Sequence, residues 1–119
     1  MKYSFEKLDV WNKSKDFAVK IYRATQSFPK EEKFGIISQL RRAAVSVSSN
    51  IAEGSSRKTS KDQGRFYTIA YSSAIEVLNQ LIISKELHFL SVEVYEELRA
   101  ELEHITAMIN RLHSSTSNT

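Results

Sequence analysis

The chain contains no cysteine, which excludes disulfide bonds and thiolate metal sites and fits a reducing cytoplasm. Only three glycines and one proline interrupt the 119 residues, so we expect long regular elements with few breaks. The first seven residues include Lys2, Glu6 and Lys7 and no apolar run, so a secretory signal is not expected. These absences favour a single cytoplasmic domain with its own core.

Patterns for metal binding and catalysis are also missing. Di-iron sites in helical bundles need two Glu-x-x-His pairs and two further glutamates. This chain has one such pair, Glu101 with His104, next to Leu102 on the apolar seam. Three glycines do not form a phosphate-cradling loop, and no serine lies in a glycine-framed nucleophile elbow. We therefore expect no metal, cofactor or catalytic site and no enzymatic activity.

Charge is divided unevenly along the chain. Residues 1–65 carry fourteen Lys/Arg and seven Asp/Glu, a net charge of +7, whereas residues 66–119 carry three and seven, a net charge of −4. Such a charge separation would steer a polyanion to one end of the protein, or pair subunits head to tail. The simpler interpretation is that these are the solvated faces of ordinary helices.

Apolar and small residues recur at helical spacing in four segments, at about residues 10–26, 34–54, 61–87 and 92–113. Their short connections predict an all-α, antiparallel up-down-up-down four-helix bundle within residues 1–113, followed by a disordered polar tail at 114–119. The residues predicted to face the core are Val10, Ser14, Phe17, Ile21 and Thr25; Leu40, Ala44, Val47 and Ile51, with Ile36 and Ile37 before them; Phe66, Ile69 or Ala70, Ser73, Val77, Gln80 or Leu81 and Ser84, with Leu78 and Ile82 broadening this stripe; and Tyr95, Leu98, Leu102, Ile105, Ile109 and Leu112.

Polar residues at three of the predicted starts are candidate helix caps. Asp9 and Ser91 precede the first and fourth apolar patterns and are predicted N-caps. Ser60 with Gln63 reads as a capping box at the start of the third helix. The first helix is expected to end at Phe28, because the residue before a proline is pushed out of helical geometry.

Two stretches have too little charge for an ordinary surface helix. Residues 43–52 have no formal charge over almost three helical turns, so small and apolar side chains point in every direction. Residues 66–84 have one charge, Glu76, but too many polar side chains for a membrane span. Both helices are therefore expected to be covered on more than one side, which favours an assembling protein with no membrane association.

Cations cluster at two places along the second and third helices. Arg57, Lys58, Lys61 and Arg65 surround the connection between them and are candidate phosphate contacts for RNA or DNA. Arg41 and Arg42 lie at the other end of the second helix, about 25 Å away at the helical rise. A solvated loop is the alternative for the first group, and salt bridges to a neighbouring chain are the alternative for the second.

The second helix also has candidates for a subunit interface. Small side chains allow close helix approach, and an amide among them is able to hydrogen-bond across a helix contact. Beside Arg41, the candidate interface residues are Arg42, Ser46, Ser49, Asn50 and Glu53. The alternative interpretation is a weakly polar helix face that is exposed to solvent and contacts no other subunit.

Three motifs, in this order, resemble the 23S rRNA intervening-sequence protein family. They are Phe5-Glu6-x-Leu8-x-Val10-Trp11, Phe28-Pro29-x-x-Glu32-x-x-Gly35 and Gln39-Leu40-Arg41-Arg42-Ala43-Ala44-x-Ser46-x-x-x-Asn50-Ile51-Ala52-Glu53-Gly54. Phe66 and the segment Ala70-Tyr71-Ser72-Ser73-x-x-Glu76 follow, so the resemblance covers about residues 5–90.

The resemblance implies an antiparallel four-helix bundle that assembles into a homopentamer. The family's genes lie inside insertions in bacterial 23S rRNA genes, and its fold is similar to the accessory variability protein of diversity-generating retroelements, a basic pentamer that binds nucleic acid. The main hypothesis is therefore a non-enzymatic homo-oligomer that binds RNA or another nucleic acid through a basic face. The alternative is a protein-interaction scaffold with no nucleic-acid role.

Overall fold

The computed structural model describes residues 2–116, which form four long helices and no strand. The helices are α1 (Asp9–Thr25), α2 (Ser38–Ser55), α3 (Ser60–Glu86) and α4 (Val92–Ser114). Short 3₁₀ helices at Ser4–Lys7 and Lys30–Glu32 and a π-helix at Lys33–Ile37 complete the regular structure of the described residues. The predicted all-α class is confirmed.

The four helices form an antiparallel bundle. The Ser46 hydroxyl on α2 lies 2.8 Å from that of Ser73 on α3, and Gln80 of α3 donates to Gln39 of α2 at 3.2 Å. Residue numbers therefore rise along one helix as they fall along the other. Lys85 near the end of α3 lies 4.6 Å from the ring centroid of Tyr95 near the start of α4. An ion pair between α1 and α4 closes the four-helix ring, and the predicted up-down-up-down order is confirmed.

The core contains the residues that helical spacing places there. Every residue of the predicted stripes of α1 and α2 is buried. In α3 and α4 the stripes are also buried, with Phe66 and Leu112 only half-buried at the edge of the core. Between Ile69 and Ala70, the structure buries the alanine and exposes the isoleucine. Leu78 and Ile82, predicted to broaden the stripe of α3, are half-buried and 36% exposed, respectively, whereas Tyr67 and Ala74, which the pattern did not place in the core, are buried. The 3.6-residue period therefore identified most of the bundle interior.

Two of the three predicted helix caps are wrong. At the start of α1, Leu8 occupies the cap position, and Asp9 lies in the first turn, where its charge still favours the helix. At the start of α3, the cap is Thr59, whose hydroxyl accepts the N–H of Asp62 at 3.1 Å, one residue before the predicted Ser60. Ser91 caps α4 as predicted, accepting the N–H of Val94.

The second helix begins later than its apolar pattern indicates. Gly35 has φ −105° and ψ −118°, which interrupts helical geometry inside Lys33–Ile37, so α2 starts at Ser38 and not at residue 34. The interruption leaves Phe34 88% exposed. The connection is held to the bundle by Phe28, whose ring centroid lies 5.5 Å from that of Phe89 in the α3–α4 connection.

The ends of the last two helices are closed by hydrogen bonds to backbone carbonyls. His88 adopts the left-handed φ of 63°, which lets the Phe89 N–H donate to the Ser84 carbonyl at 2.9 Å. α4 continues through Ser114, and the Thr116 hydroxyl donates to the His113 carbonyl, so the predicted polar tail starts in ordered structure. The rest of that tail, residues 117–119, lies outside the described residues.

Gly54 of α2 and Gly64 of α3 provide a matched test of helix packing at the end of the bundle that contains the α2–α3 connection. A Cβ at Gly54 would lie 2.6 Å from Cε1 of Tyr67 and 3.0 Å from Cβ of Phe66, inside the α2–α3 contact. A Cβ at Gly64 would approach the tip of Thr116 most closely, at 2.9 Å. Both glycines are helical, so alanine adds about 1 kcal/mol of helix propensity in each case.

We therefore expect Gly54→Ala to lower the free energy of unfolding by about 1–2 kcal/mol, because overpacking outweighs the gain in propensity. Gly64→Ala is expected to leave that free energy unchanged or to raise it by up to about 1 kcal/mol. Urea titration of both variants measures the difference. Equal stabilities would contradict a tight α2–α3 contact at Gly54.

Candidate nucleic-acid and subunit interfaces

The four predicted phosphate contacts lie together at one end of the bundle. Arg57 and Lys58 are in the α2–α3 connection, Lys61 and Arg65 are in the first two turns of α3, and all four are exposed. We call these four residues the basic end. Because Gly64 lies beside His113, the last turn of α4 is also at this end, where it adds Arg111 and His113.

Phe66 holds two of these cations in place. The guanidinium carbon of Arg57 lies 4.5 Å from the ring centroid of Phe66, and that of Arg65 lies 5.2 Å from it. The ring is half-buried against α2. Attraction between a cation and an aromatic face contributes about 0.5–1 kcal/mol at an exposed site. The aromatic ring therefore brings a loop arginine and a helix arginine to one place.

Few acidic groups neutralise the basic end. Asp62 lies 3.9 Å from Arg65, at the limit of an ion pair, and both side chains are well exposed. Such a pair contributes little in water. Within residues 2–116, Lys58 and Lys61 have no ion pair. The amino-terminal amides of α3 add partial positive charge at the same place.

The backbone beneath these cations is ordered by local hydrogen bonds. Gln63 donates its side-chain amide to the Arg57 carbonyl at 3.2 Å, instead of reaching back in the predicted capping box. The Ser56 hydroxyl donates to the Glu53 carbonyl at 2.7 Å. The backbone of the connection therefore has one defined shape.

Tyr67 lies directly under this end of the bundle. Its side chain is 3% exposed and packs against Gly54, and burial raises the pKa of its phenol above the ordinary value of 10.0. Desolvation has this effect because a phenolate is far more costly than a phenol in an apolar environment.

Arg41 is used inside the bundle. Its Nε donates to the Thr25 hydroxyl at 2.9 Å, one of its Nη groups donates to the Tyr22 carbonyl at 3.2 Å, and its guanidinium lies 4.6 Å from the Tyr22 ring centroid. It thus satisfies the carboxyl end of α1, where a cation also complements the helix dipole. Arg42 points outward and is exposed, roughly 20 Å along α2 from the basic end.

Two other candidate interface residues make hydrogen bonds within the chain. Ser46 pairs with Ser73, and the Asn50 amide donates to the carbonyl and the hydroxyl of Ser46, at 2.8 and 3.0 Å. The Ser46–Ser73 bond joins α2 to α3, whereas the Asn50 bonds lie within α2. The remaining candidates, Ser49 and Glu53, lie with Arg42 on the outward face of α2, where they stay predictions for a subunit contact.

An outward apolar face on α3 was not identified residue by residue from the sequence. Ile69, Ile75, Ile82 and Ile83 are between 36% and 44% exposed. They lie in the weakly charged stretch 66–84, whose sparse charge predicts that a second face of this helix is buried against another surface. Beside this face, an open groove of about 600 Å³ lies along α2 between Tyr22 and Glu76.

Residues 2–116 contain no group of three or more metal-binding side chains close enough to hold an ion. The acid of the one Glu-x-x-His pair, Glu101, is paired with Lys20, which raises the pKa of that lysine. The described helices also include none that is long and apolar enough to cross a membrane.

Comparison with known proteins identifies the family and the fold. The family model for the 23S rRNA-intervening sequence protein matches residues 6–111, which confirms the resemblance of the motifs. A crystal structure of a protein with unknown function from the S23 ribosomal protein family of Bacteroides thetaiotaomicron VPI-5482 has the same fold, with a TM-score of 0.79. It is 23% identical, and the match covers 87% of this chain and 97% of that one. Curated protein sequences give no match.

The raised pKa of Tyr67 predicts a loss of stability at alkaline pH. Below about pH 10 the phenol is neutral in both states and contributes no pH dependence. Above it, the unfolded chain loses this proton first, so the free energy of unfolding falls as the pH rises from the unfolded pKa toward the folded one.

We expect Tyr67→Phe to match the wild type at pH 8 and to lose less stability than the wild type between about pH 9 and pH 11. Tyr3→Phe removes an exposed phenol in place of the buried one and is the control for the substitution. Urea titrations across this range measure both. Parallel curves for Tyr67→Phe and wild type would contradict a buried phenol.

Proposed function

The chain belongs to the 23S rRNA-intervening sequence protein family, and we propose that it is a non-enzymatic, cytoplasmic homo-oligomer that binds nucleic acid at its basic end. The observation that carries nucleic-acid binding is the basic end itself, four exposed cations around an ordered connection that have, within residues 2–116, one weak ion pair, Arg65 with Asp62. A surface of this kind binds phosphates and releases their counterions, without requiring any base contact.

Assembly is supported by the outward apolar face of α3. A solvent-exposed helix normally keeps a charged outer face, yet between residues 66 and 84 this one has four exposed isoleucines and a single charge, Glu76. A second copy of this chain is the proposed occupant, because the chain has complementary charge. The outer side of α4 carries Glu93, Glu96, Glu97 and Glu103, whereas α2 presents Arg42 beside the groove. The family resemblance makes a homopentamer the proposed state.

A protein-interaction scaffold is the second candidate function. The observation that favours it is Phe34, which is 88% exposed at the opposite end of the bundle from the basic end. Leu87 and Val92 in the α3–α4 connection region are also more than half exposed. A specific protein partner that is retained after nuclease treatment, with no RNA binding by the purified protein, would favour this function over the first.

The RNA-binding proposal predicts a steep dependence on salt. We expect the purified protein to bind a structured RNA at low salt, with an affinity that falls as salt rises. Lys58→Gln with Lys61→Gln should weaken binding roughly 2- to 30-fold at low salt, because each lysine bound to a phosphate is worth up to about 1 kcal/mol. The log–log salt slope should become shallower by about one for each phosphate that the variant no longer neutralises.

Filter binding at two or more salt concentrations measures these effects. The control is Lys30→Gln with Lys33→Gln, which removes the same charge from two exposed lysines at the opposite end of the bundle. Equal weakening in both double variants would indicate attraction by net charge alone. No detectable wild-type binding at low salt would rule out the proposal.

The assembly proposal predicts that a charge on the outward face of α3 dissociates the oligomer. We expect Ile75→Glu to shift the protein toward monomers at micromolar concentration, because a carboxylate would be buried against an apolar surface. Val19→Glu is the control, since Val19 is similarly exposed on α1. Light scattering after gel filtration gives the masses. A monomeric wild type, or equal dissociation by both variants, would overturn the assignment.

A further inference from the structure

We propose that Phe66 holds the guanidinium groups of Arg57 and Arg65 as a paired phosphate-binding site that recognises the nucleic-acid backbone irrespective of base sequence. This inference rests on the proposed nucleic-acid binding and specifies its chemistry. It divides the basic end into two unequal pairs of cations. The arginines are ordered by the ring, whereas Lys58 and Lys61 are exposed and have neither an ion pair nor a ring contact within residues 2–116.

The ring positions the arginines because the bundle positions the ring. Arg57 belongs to the connection and Arg65 to α3, yet both guanidinium carbons lie within 5.2 Å of one ring centroid. Phe66 of α3 is half-buried against α2, since a Cβ added at Gly54 would lie 3.0 Å from the Cβ of Phe66. Gln63 also restrains the Arg57 backbone, because its side-chain amide donates to the Arg57 carbonyl at 3.2 Å. The two charges are therefore fixed relative to α2 and α3.

This arrangement suits a phosphodiester. A guanidinium stacked on a ring uses its face and leaves its edge, with the planar N–H donors, free for two oxygens of a phosphate. Binding then costs less side-chain entropy, because the ring has already restricted two long side chains. Two like charges beside one ring repel each other, and a bound anion relieves that repulsion.

The same arrangement withholds the aromatic rings of the basic end from bases. Proteins that bind single strands stack bases on exposed aromatic rings. Here the Phe66 ring is covered by guanidinium groups, and Tyr67 is buried. Tyr3, in the segment before α1, is 66% exposed. The experiment therefore has to separate base stacking on Tyr3 from binding of the backbone by the arginines.

The test uses substitutions that keep every charge. Arg57→Lys with Arg65→Lys removes the planar groups, and Lys58→Arg with Lys61→Arg is the matched control in the reverse direction. Phe66→Leu keeps the charges and most of the packing and removes the ring. The probes are two RNA hairpins with unrelated stems of equal length, a DNA hairpin, and a single-stranded RNA of the same length.

We expect Arg57→Lys with Arg65→Lys, and also Phe66→Leu, to weaken hairpin binding about 3- to 10-fold at unchanged net charge. The lysine-to-arginine control should bind at least as tightly as the wild type. The two RNA stems and the DNA stem should bind within about twofold of one another, and all more tightly than the single strand. Circular dichroism confirms the fold, and if Phe66→Leu unfolds, the arginine-to-lysine variant alone decides.

Several outcomes overturn the inference. Wild-type affinity in the arginine-to-lysine variant, together with weakened binding by Lys58→Gln with Lys61→Gln, would reject the paired site and leave the proposed function intact. Tighter binding to one of the two stem sequences would reject backbone recognition. So would tighter binding to the single strand, if Tyr3→Ala abolishes it. If inorganic phosphate displaces RNA more than chloride does at equal ionic strength, the arginine pair would be a site for free phosphate and not for nucleic acid. Absence of wild-type binding would reject both proposals.

Discussion

The close approach of α2 to α3 is the constraint on which the rest of the structure depends. At Gly54 the two helices leave no room for a methyl group, and farther along, the hydroxyls of Ser46 and Ser73 are in direct contact. Small side chains permit this distance because they let one helix backbone approach the side chains of the other. The contact packs Phe66 of α3 against α2, and the two arginines of the basic end lie beside the Phe66 ring.

The same contact separates the outer surface into regions of different chemistry. Since the core-facing side of α3 is taken up by α2 and α4, its isoleucines at 69, 75, 82 and 83 are left outside. The cations of the α2–α3 connection are at one end, and the glutamates of α4 lie along one side. A bundle divided in this way offers an apolar face suited to self-assembly and, apart from it, a cationic end suited to an anion.

Periodicity predicted most of the interior correctly, and it failed where local geometry decides. The stripes of α1 and α2 are buried in full, because a 3.6-residue repeat translates directly into one face. The beginning of α2 was predicted four residues early, since nothing in the apolar spacing reveals the backbone break at Gly35. Thr59 and Ser60 are adjacent hydroxyl residues, and which of them caps α3 depends on the path of the connection.

The sequence by itself determined the helical class, most residues of the core, the family and the four cations of the basic end. Each of these follows from residue type and spacing along the chain. Only the tertiary structure decided what the outward residues do. In the structure Arg41 caps the carboxyl end of α1, Asn50 and Ser46 make hydrogen bonds within the bundle, and two arginines lie beside the Phe66 ring. The Arg41–Thr25, Ser46–Ser73 and Arg57–Phe66 contacts join different elements, and spacing along one helix carries no information about the distance to another.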